Sequence, residues 1–265
     1  MKSTKETNIP TAGEFPHLSK APITEAVIEI RALATIELSK KMMREKLDSQ
    51  LLDYPNVKAE HRQTHQVQFG PGQQSKVAMQ DLGWQGLVFT SLDQKQIVKF
   101  EKQLFSLSRL APYKNWETLS KEAFRLWSLH RNLVAPIDIR RLGVRFVNRI
   151  PLAMEPTKKP IRINNYFRSF SIGTKGFRTT TMGFLHHEVL AVPGNKYAMN
   201  IIKTLQPAEV RTINEAALIL DIDIYTIAPF APTDEEINSR LQEIDWLKNK
   251  VFFGTITKQL QEQLT

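Results

Sequence analysis

Three arginines recur on one side of a probable strand in the middle of the chain. In RRLGVRFVNRIPL alternate residues share a face, so Arg141, Arg145 and Arg149 point the same way and span about 26 Å. A guanidinium binds phosphate through paired N–H donors, so this row predicts a contact surface for a polyphosphate or the mouth of an anion pocket. The alternative is that carboxylates on a neighbouring strand, such as Glu25 and Glu29, pair with the arginines.

The arginine row lies in a strongly basic window. Residues 138–182 contain ten Lys or Arg and two acidic residues, a net charge of +8, whereas the whole chain carries +9. Charge concentrated in this way favours an anionic partner. The window includes the loop sequence Gly-Thr-Lys-Gly at 173–176, whose amides, with Lys175 and Arg178, could hold a phosphate. Such a loop also fits an ordinary connection between elements, and both readings stay open.

Two aspartates alternate in ILDIDIYT near the end of the chain. Asp221 and Asp223 would lie about 6.6 Å apart on one strand face. With Glu25 and Glu29 of the first strand, they could hold Mg²⁺ in a metal-dependent phosphohydrolase or nucleotide-processing enzyme. The alternative is that these acids neutralise the arginines.

Other catalytic signatures are missing from the sequence. The chain has no cysteine, which excludes thiolate nucleophiles and Cys-based metal sites. His61 and His65 would be about 13 Å apart along a strand, too far to share a metal. No G-x-S-x-G, Walker A or H-E-x-x-H motif occurs. The sequence therefore favours a binding protein without catalytic residues.

The last long helix carries three aromatic residues that suggest a third function. Trp246, Phe252 and Phe253 could form a docking surface for a protein partner. Aromatic residues on an amphipathic helix also commonly belong to the core, which is the alternative reading.

The elements that would position these residues follow one order twice. Each half reads as a strand, a helix, several strands and a long helix, so we predict an α+β fold with antiparallel sheets backed by helices. Residues 1–20 are predicted to be an extended lead-in. Residues 21–136 form the first half and residues 137–265 the second, and both are expected to share one core.

Helix and strand boundaries follow from local signals. Ser39 and Thr233 are expected to cap helices, and Gly254 is expected to end the last long helix. Leu82-Gly83 is expected to separate two strands, KVAMQDLG and GLVFTSLD. QIVKFEKQLFSLS is expected to form one strand, and a short helical turn is expected near residues 164–170.

The sequence also bears on cellular location. The N-terminal region lacks the apolar stretch of a secretory signal, and no run reaches the roughly 18 consecutive apolar residues of a membrane span. We expect a soluble cytoplasmic protein that does not interact with a membrane.

Four segments together resemble a known family. APITEAVIEIRAL, RLGVRFVNRI, LDIDIY and WLKNKVFFGTIT occur in the order seen in a sporadically distributed, functionally uncharacterised prokaryotic family of about this length. The resemblance implies a bacterial or archaeal origin. Its patchy distribution is typical of mobile elements and antiphage islands, but it assigns no activity and no functional residue.

These observations lead to one expected function. We expect a non-enzymatic binding subunit that recognises nucleic acid or a phosphorylated nucleotide, alongside other protein subunits of a prokaryotic, possibly antiphage, system. No cofactor is expected, except Mg²⁺ if the protein is instead an enzyme. An assembly subunit that docks through the C-terminal helix is the remaining alternative.

Overall fold

A single twisted sheet organises the structure, which is a computed structural model. It describes residues 9–10, 13, 15–68, 76–152, 162–168, 181–194, 196–206 and 216–265, without the side chains of 64–68 and 76–79. Within these residues nine strands pair side by side in the order β2-β3-β4-β5-β1-β6-β9-β8-β7, and every pair is antiparallel. The strands are β1 (Ile23–Leu33), β2 (Asn56–Gln68), β3 (Lys76–Thr90), β4 (Gln96–Glu101), β5 (Leu104–Leu110), β6 (Asp138–Pro151), β7 (Leu185–Ala191), β8 (Tyr197–Gln206) and β9 (Ala217–Thr226).

Four helices are described, and their buried apolar residues belong to the core under one face of this sheet. The helices are α1 (Lys40–Leu47), α2 (Trp116–Val134), α3 (Asp234–Thr255) and α4 (Lys258–Leu264), and a short 3-10 helix spans Ile163–Asn165. α1 contacts β3, α2 contacts β5, and α3 contacts both β6 and β9. The predicted α+β class, with an antiparallel sheet backed by helices, is confirmed.

The first strands of the two halves meet at the centre of the sheet. β1 pairs with β5 on one side and with β6 on the other. Beyond this centre, the first half continues through β5, β4, β3 and β2, and the second through β9, β8 and β7. The second half follows β6 with the 3-10 helix, where the first half has α1. One apolar core runs under the sheet and draws residues from both halves.

The alternation seen in the first strand matches its burial. Ala26, Ile28, Ile30 and Ala32 are at most 3% exposed and face the helices, whereas Glu25 and Glu29 lie on the other face. The predicted helix caps are also in place. The hydroxyl of Ser39 accepts a hydrogen bond from the backbone amide of Met42, and the hydroxyl of Thr233 accepts one from the backbone amide of Glu236. Each cap satisfies an amide that has no partner within its helix.

Three predicted boundaries were wrong. Gly83 does not separate two strands but lies within a continuous β3, with φ +67. A glycine can adopt this conformation and bend a strand without ending it. QIVKFEKQLFSLS forms two strands, β4 and β5, that turn back at Lys102 and Gln103. Gly254 lies inside α3, which continues to Thr255.

Among the described helices, none is long and apolar enough to cross a membrane.

Candidate functional site

The predicted charged residues lie on the sheet face opposite the helices, which we call the open face. Register places Glu29 opposite Gly143 of β6, and Arg145 opposite Asp223 of β9, so their side chains share this face. On β1, β6 and β9 the open face includes four arginines and four carboxylates. They are Arg31, Arg141, Arg145 and Arg149, with Glu25, Glu29, Asp221 and Asp223. The open face is therefore balanced in charge at its centre.

Arg141 bridges three strands on the open face. Its Nη1 lies 2.8 Å from Glu29 Oε1 of β1, and its Nη2 lies 2.9 Å from Asp223 Oδ2 of β9. Its guanidinium carbon lies 4.6 Å from the centre of the Tyr225 ring, within the range of a cation–π contact. Gly143 provides the room, since a Cβ there would come within 2.3 Å of Arg141 Nη1.

Arg145 is held by a single carboxylate. Its Nε and Nη2 donate to Asp221, with the shortest contact 2.6 Å from Nη2 to Oδ2. These hydrogen bonds raise the pKa of Arg145. Arg149 donates instead to the Gln206 side chain, at 3.2 Å. Arg141 and Arg145 therefore form the cross-strand ion pairs that the sequence analysis gave as the alternative. Their partners are Asp221 and Asp223 in addition to Glu29.

The same pairs involve three of the four acidic residues of the enzyme alternative. Asp221 and Asp223 each bind an arginine, and Glu29 accepts from both Arg31 and Arg141. Among the described residues no group of three His, Asp or Glu side chains is placed to hold a metal ion. Lys175 and Arg178, the loop part of the predicted phosphate site, lie outside the described residues.

The aromatic residues of α3 pack against the segment that precedes β1. The Phe15 ring stacks on Phe253 with centroids 5.6 Å apart, and meets the edge of Trp246 at 6.2 Å. Phe252 is only 8% exposed. The segment that precedes β1 thus covers part of the docking surface predicted at Trp246, Phe252 and Phe253.

A cavity of about 760 Å³ opens on the helix side of the sheet, between the start of α2 and the end of α3. We call it the α2–α3 cavity. One wall is the segment from Phe15 to Ile23, and another is the loop 111–115. Phe146 and Asn148 of β6 and Ile222 of β9 form the floor, with Lys248, Asn249, Phe252 and Phe253 of α3 on the remaining side. The cavity thus collects residues that are far apart in the sequence.

The charged residues that line this cavity are all basic. Its lining includes Lys20, Lys114, Lys248 and His17, and no carboxylate among the described residues. Lys20, Lys114 and His17 are exposed at the rim, whereas Lys248 is 8% exposed. Asn115, which also lines the cavity, caps the N-terminus of α2 by accepting the amide of Thr118. A helix N-terminus carries partial positive charge, which adds to that of the lysines.

Lys248 is the most enclosed cation of the cavity. Its Nζ lies 2.8 Å from Asp245 Oδ1 and 2.9 Å from Asn249 Oδ1. The rings of Phe146 and Trp116 lie 4.7 and 5.5 Å away from it. Burial lowers the pKa of Lys248, and the Asp245 carboxylate opposes that effect. Burial, with the charge of Asp245, raises the pKa of Tyr113 in the cavity wall.

The sequence analysis missed this cavity and its lysines. Lys248 stands among polar residues of a helix, where a lysine ordinarily reaches into solvent. One signal was available: Lys248 follows Ile244 by four residues and Leu241 by seven, which places it on the buried stripe of α3.

Comparison with protein-family models, curated proteins and solved structures finds no match for the chain.

Proposed function

We propose that this protein is a non-enzymatic binding subunit for a small anionic ligand held in the α2–α3 cavity. The ligand would combine phosphate or carboxylate groups with an apolar or aromatic body, as a phosphorylated nucleotide does. The observation that carries the proposal is the lining of the cavity, in which three lysines meet several aromatic rings, while the Asp245 carboxylate that pairs with Lys248 lies outside the lining.

The size of the cavity favours a small molecule. Ligand pockets commonly have volumes of about 300 to 1,000 Å³ and combine apolar walls with a few polar groups. The α2–α3 cavity, at about 760 Å³, falls within this range. Phe146, Ile222 and Phe252 would enclose the ligand body while the lysines contact its anionic groups.

The open face supports a nucleic acid less well. Nucleic acid binding depends on cations that contact the phosphates, and it weakens steeply with salt. Arg141 and Arg145 contact carboxylates within the protein. A nucleic acid on the open face would have to compete with these carboxylates for both arginines.

Calorimetric titration of pyrophosphate and of nucleoside mono- and triphosphates, at several salt concentrations, tests the proposal. We expect salt-sensitive binding, and a Lys20→Ala, Lys114→Ala double variant should lose about tenfold in affinity, which equals about 1.4 kcal/mol. Lys58→Ala on β2 is the matched control, because Lys58 is exposed on the open face and outside the cavity.

Fluorescence anisotropy with single- and double-stranded DNA and RNA supplies the opposing test. If the protein binds nucleic acid, loses that binding in Arg145→Glu and binds no nucleotide, the cavity is not the ligand site. The basic window of residues 138–182 would then be the binding surface. We expect Arg145→Glu to leave the affinity for nucleotides unchanged.

The wider setting is proposed from the sequence. The resemblance to a patchily distributed prokaryotic family supports a role beside other subunits of a multi-component defence system. Ligand binding would then report the presence of a small phosphorylated molecule to those subunits.

A further inference from the structure

Lys248 combines three features that are seldom found together in a lysine. It lines a cavity, its side chain is only 10% exposed, and a carboxylate oxygen lies 2.8 Å from its amine. The rings of Phe146 and Trp116 lie 4.7 and 5.5 Å from the amine. A lysine that served only for solubility would extend into water, so this one is placed for contact with whatever occupies the cavity.

A buried amine beside an acid can form a covalent bond with a carbonyl compound. Amine nucleophiles require the neutral form, which a desolvated site favours, and lysines in such sites form imines with carbonyl substrates. Asp245 can accept the proton that the ammonium must lose. The Tyr113 hydroxyl, in the cavity wall, is kept protonated by burial and can donate a hydrogen bond to a carbonyl oxygen.

We propose that Lys248 is a carbonyl-reactive amine, and that the anionic ligand of the cavity also carries an aldehyde or 2-oxo group. This inference rests on the proposed function for the anionic part of the ligand. Lys20 and Lys114 at the rim would bind the anionic group, and the carbonyl would reach Lys248 on the α3 side of the cavity.

The reaction is balanced without an oxidant or a reductant. The Lys248 ammonium passes a proton to Asp245, and its nitrogen lone pair then attacks the carbonyl carbon while the C–O π electrons move to oxygen. A proton moves from nitrogen to that oxygen, giving a carbinolamine. Asp245 returns its proton to the hydroxyl, which leaves as water as the C=N bond forms. The products are a protonated imine and one water molecule, and hydrolysis reverses the reaction.

Trapping with pyridoxal 5′-phosphate and cyanoborohydride tests this inference, because that probe joins a phosphate and an aldehyde on an aromatic ring. Cyanoborohydride converts an imine to a stable amine, which intact mass and peptide mapping locate. We expect Lys248 to be modified first at substoichiometric probe, at least tenfold ahead of Lys203. Lys203 is the matched control, since it is equally buried at 8% exposure and lies 3.1 Å from Glu188, but outside the cavity.

Two further measurements separate covalent reaction from binding. Pyridoxine 5′-phosphate has an alcohol in place of the aldehyde and reports binding alone. Lys248→Arg keeps the positive charge but forms no imine, so it should give no adduct at position 248 and should lose the affinity by which pyridoxal 5′-phosphate exceeds pyridoxine 5′-phosphate in the wild type. Lys248→Met provides a second variant if the arginine disturbs folding.

The outcomes distinguish this inference from the proposed function. Binding of pyridoxine 5′-phosphate without an adduct at Lys248 would overturn the reactive amine and leave the anion site standing. Adducts confined to Lys20 and Lys114 would likewise show that Lys248 is not the reactive amine, while the anion site would still stand. Absence of both binding and adduct would reject the two proposals together.

Discussion

Gly143 allows one guanidinium to serve two neighbouring strands. Arg141 lies over this glycine to reach Glu29 and Asp223, and any side chain at position 143 would occupy its path. The backbone at Gly143 does not have a positive φ, so the requirement is for space alone. A glycine in a central strand, which ordinarily weakens a sheet, here permits a bridging ion pair.

We expect Gly143→Ala to destabilise the protein by about 1 to 2 kcal/mol, because two partly buried carboxylates would lose Arg141. Gly254→Ala is the control. A Cβ at Gly254 meets nothing within 4 Å, and the residue lies inside α3, so alanine should stabilise by about 0.5 to 1 kcal/mol. Urea denaturation measures both changes. Equal effects of the two substitutions would contradict the steric role of Gly143.

His130 makes the stability sensitive to acid. It is fully buried in α2, its Nε2 lies 2.8 Å from the Glu101 carbonyl oxygen, and desolvation lowers its pKa to about 4 from an ordinary 6.5. Because the folded pKa is the lower one, the unfolded chain binds a proton first as the pH falls. The contribution of neutral His130 to the free energy of unfolding is about 3 kcal/mol. It is complete above pH 6.5 and is lost as the pH falls from 6.5 to 4.

Urea denaturation between pH 4 and 7 tests this contribution. His130→Leu should show a flatter dependence of the unfolding free energy on pH over that interval, whatever its stability at pH 7. His61→Gln is the control, since His61 is exposed on β2 and should leave the dependence unchanged. An equally steep fall in His130→Leu would assign the acid sensitivity to other groups.

At the scale of elements, the pairing of β6 with β9 fixes the charges of the open face. Asp221 is buried and receives two donors from Arg145, which is half exposed. Removing the arginine would leave a carboxylate with little access to water. Since the arginine itself is partly solvated, the effect should be smaller than for a fully buried pair.

Arg145→Met should lower the unfolding free energy by about 1 to 2 kcal/mol. Adding Asp221→Asn should restore part of the loss, because the amide needs no counter-charge. A thermodynamic cycle over the two single variants and the double variant measures the coupling. Strict additivity would show that the pair does not contribute to stability.

The sequence predicted the elements better than their connections. Alternation located β1, β6 and β9 and assigned their faces, because one buried face imposes a period of two. It could not show that the Lys102–Gln103 turn breaks a segment in two, since neither residue is a typical turn former. It also named Glu29 as a partner of the arginines but could not identify which carboxylate each arginine binds. That choice depends on the order of strands in the sheet.

At the scale of the whole molecule, the α2–α3 cavity exists only where distant segments converge. Residues 15–23, 111–115 and 248–253 border it, and no local pattern links them. The segment that begins at Phe15 is held by ring contacts to α3 and by a hydrogen bond from the Lys20 amide to the Leu264 carbonyl oxygen. It closes one side of the cavity, so its attachment should govern access.

Phe15→Ala should destabilise this attachment. Loss of the Phe15 ring, which packs on Trp246 and Phe253, should cost about 1 to 2 kcal/mol and increase the quenching of Trp246 fluorescence by an aqueous quencher. Ligand association should become faster, since the wall opens more easily. Phe105→Leu, a core change distant from the cavity, controls for general loss of stability. Unchanged quenching in Phe15→Ala would contradict the closing role of this segment.

The central pairing of β1 with β6 has a consequence for how the chain is made. Its partners are 105 to 125 residues apart, so β1 leaves the ribosome long before β6 can join it. Until then one edge of β1 remains open to any other chain, and contacts between distant segments slow folding. At high protein concentration, β6 of one molecule can therefore pair with β1 of a second molecule, in the position that the second molecule's own β6 would take. The short link at 135–137 would act as the hinge of this exchange. Refolding should accordingly yield exchanged dimers in proportion to protein concentration, which size-exclusion chromatography would resolve.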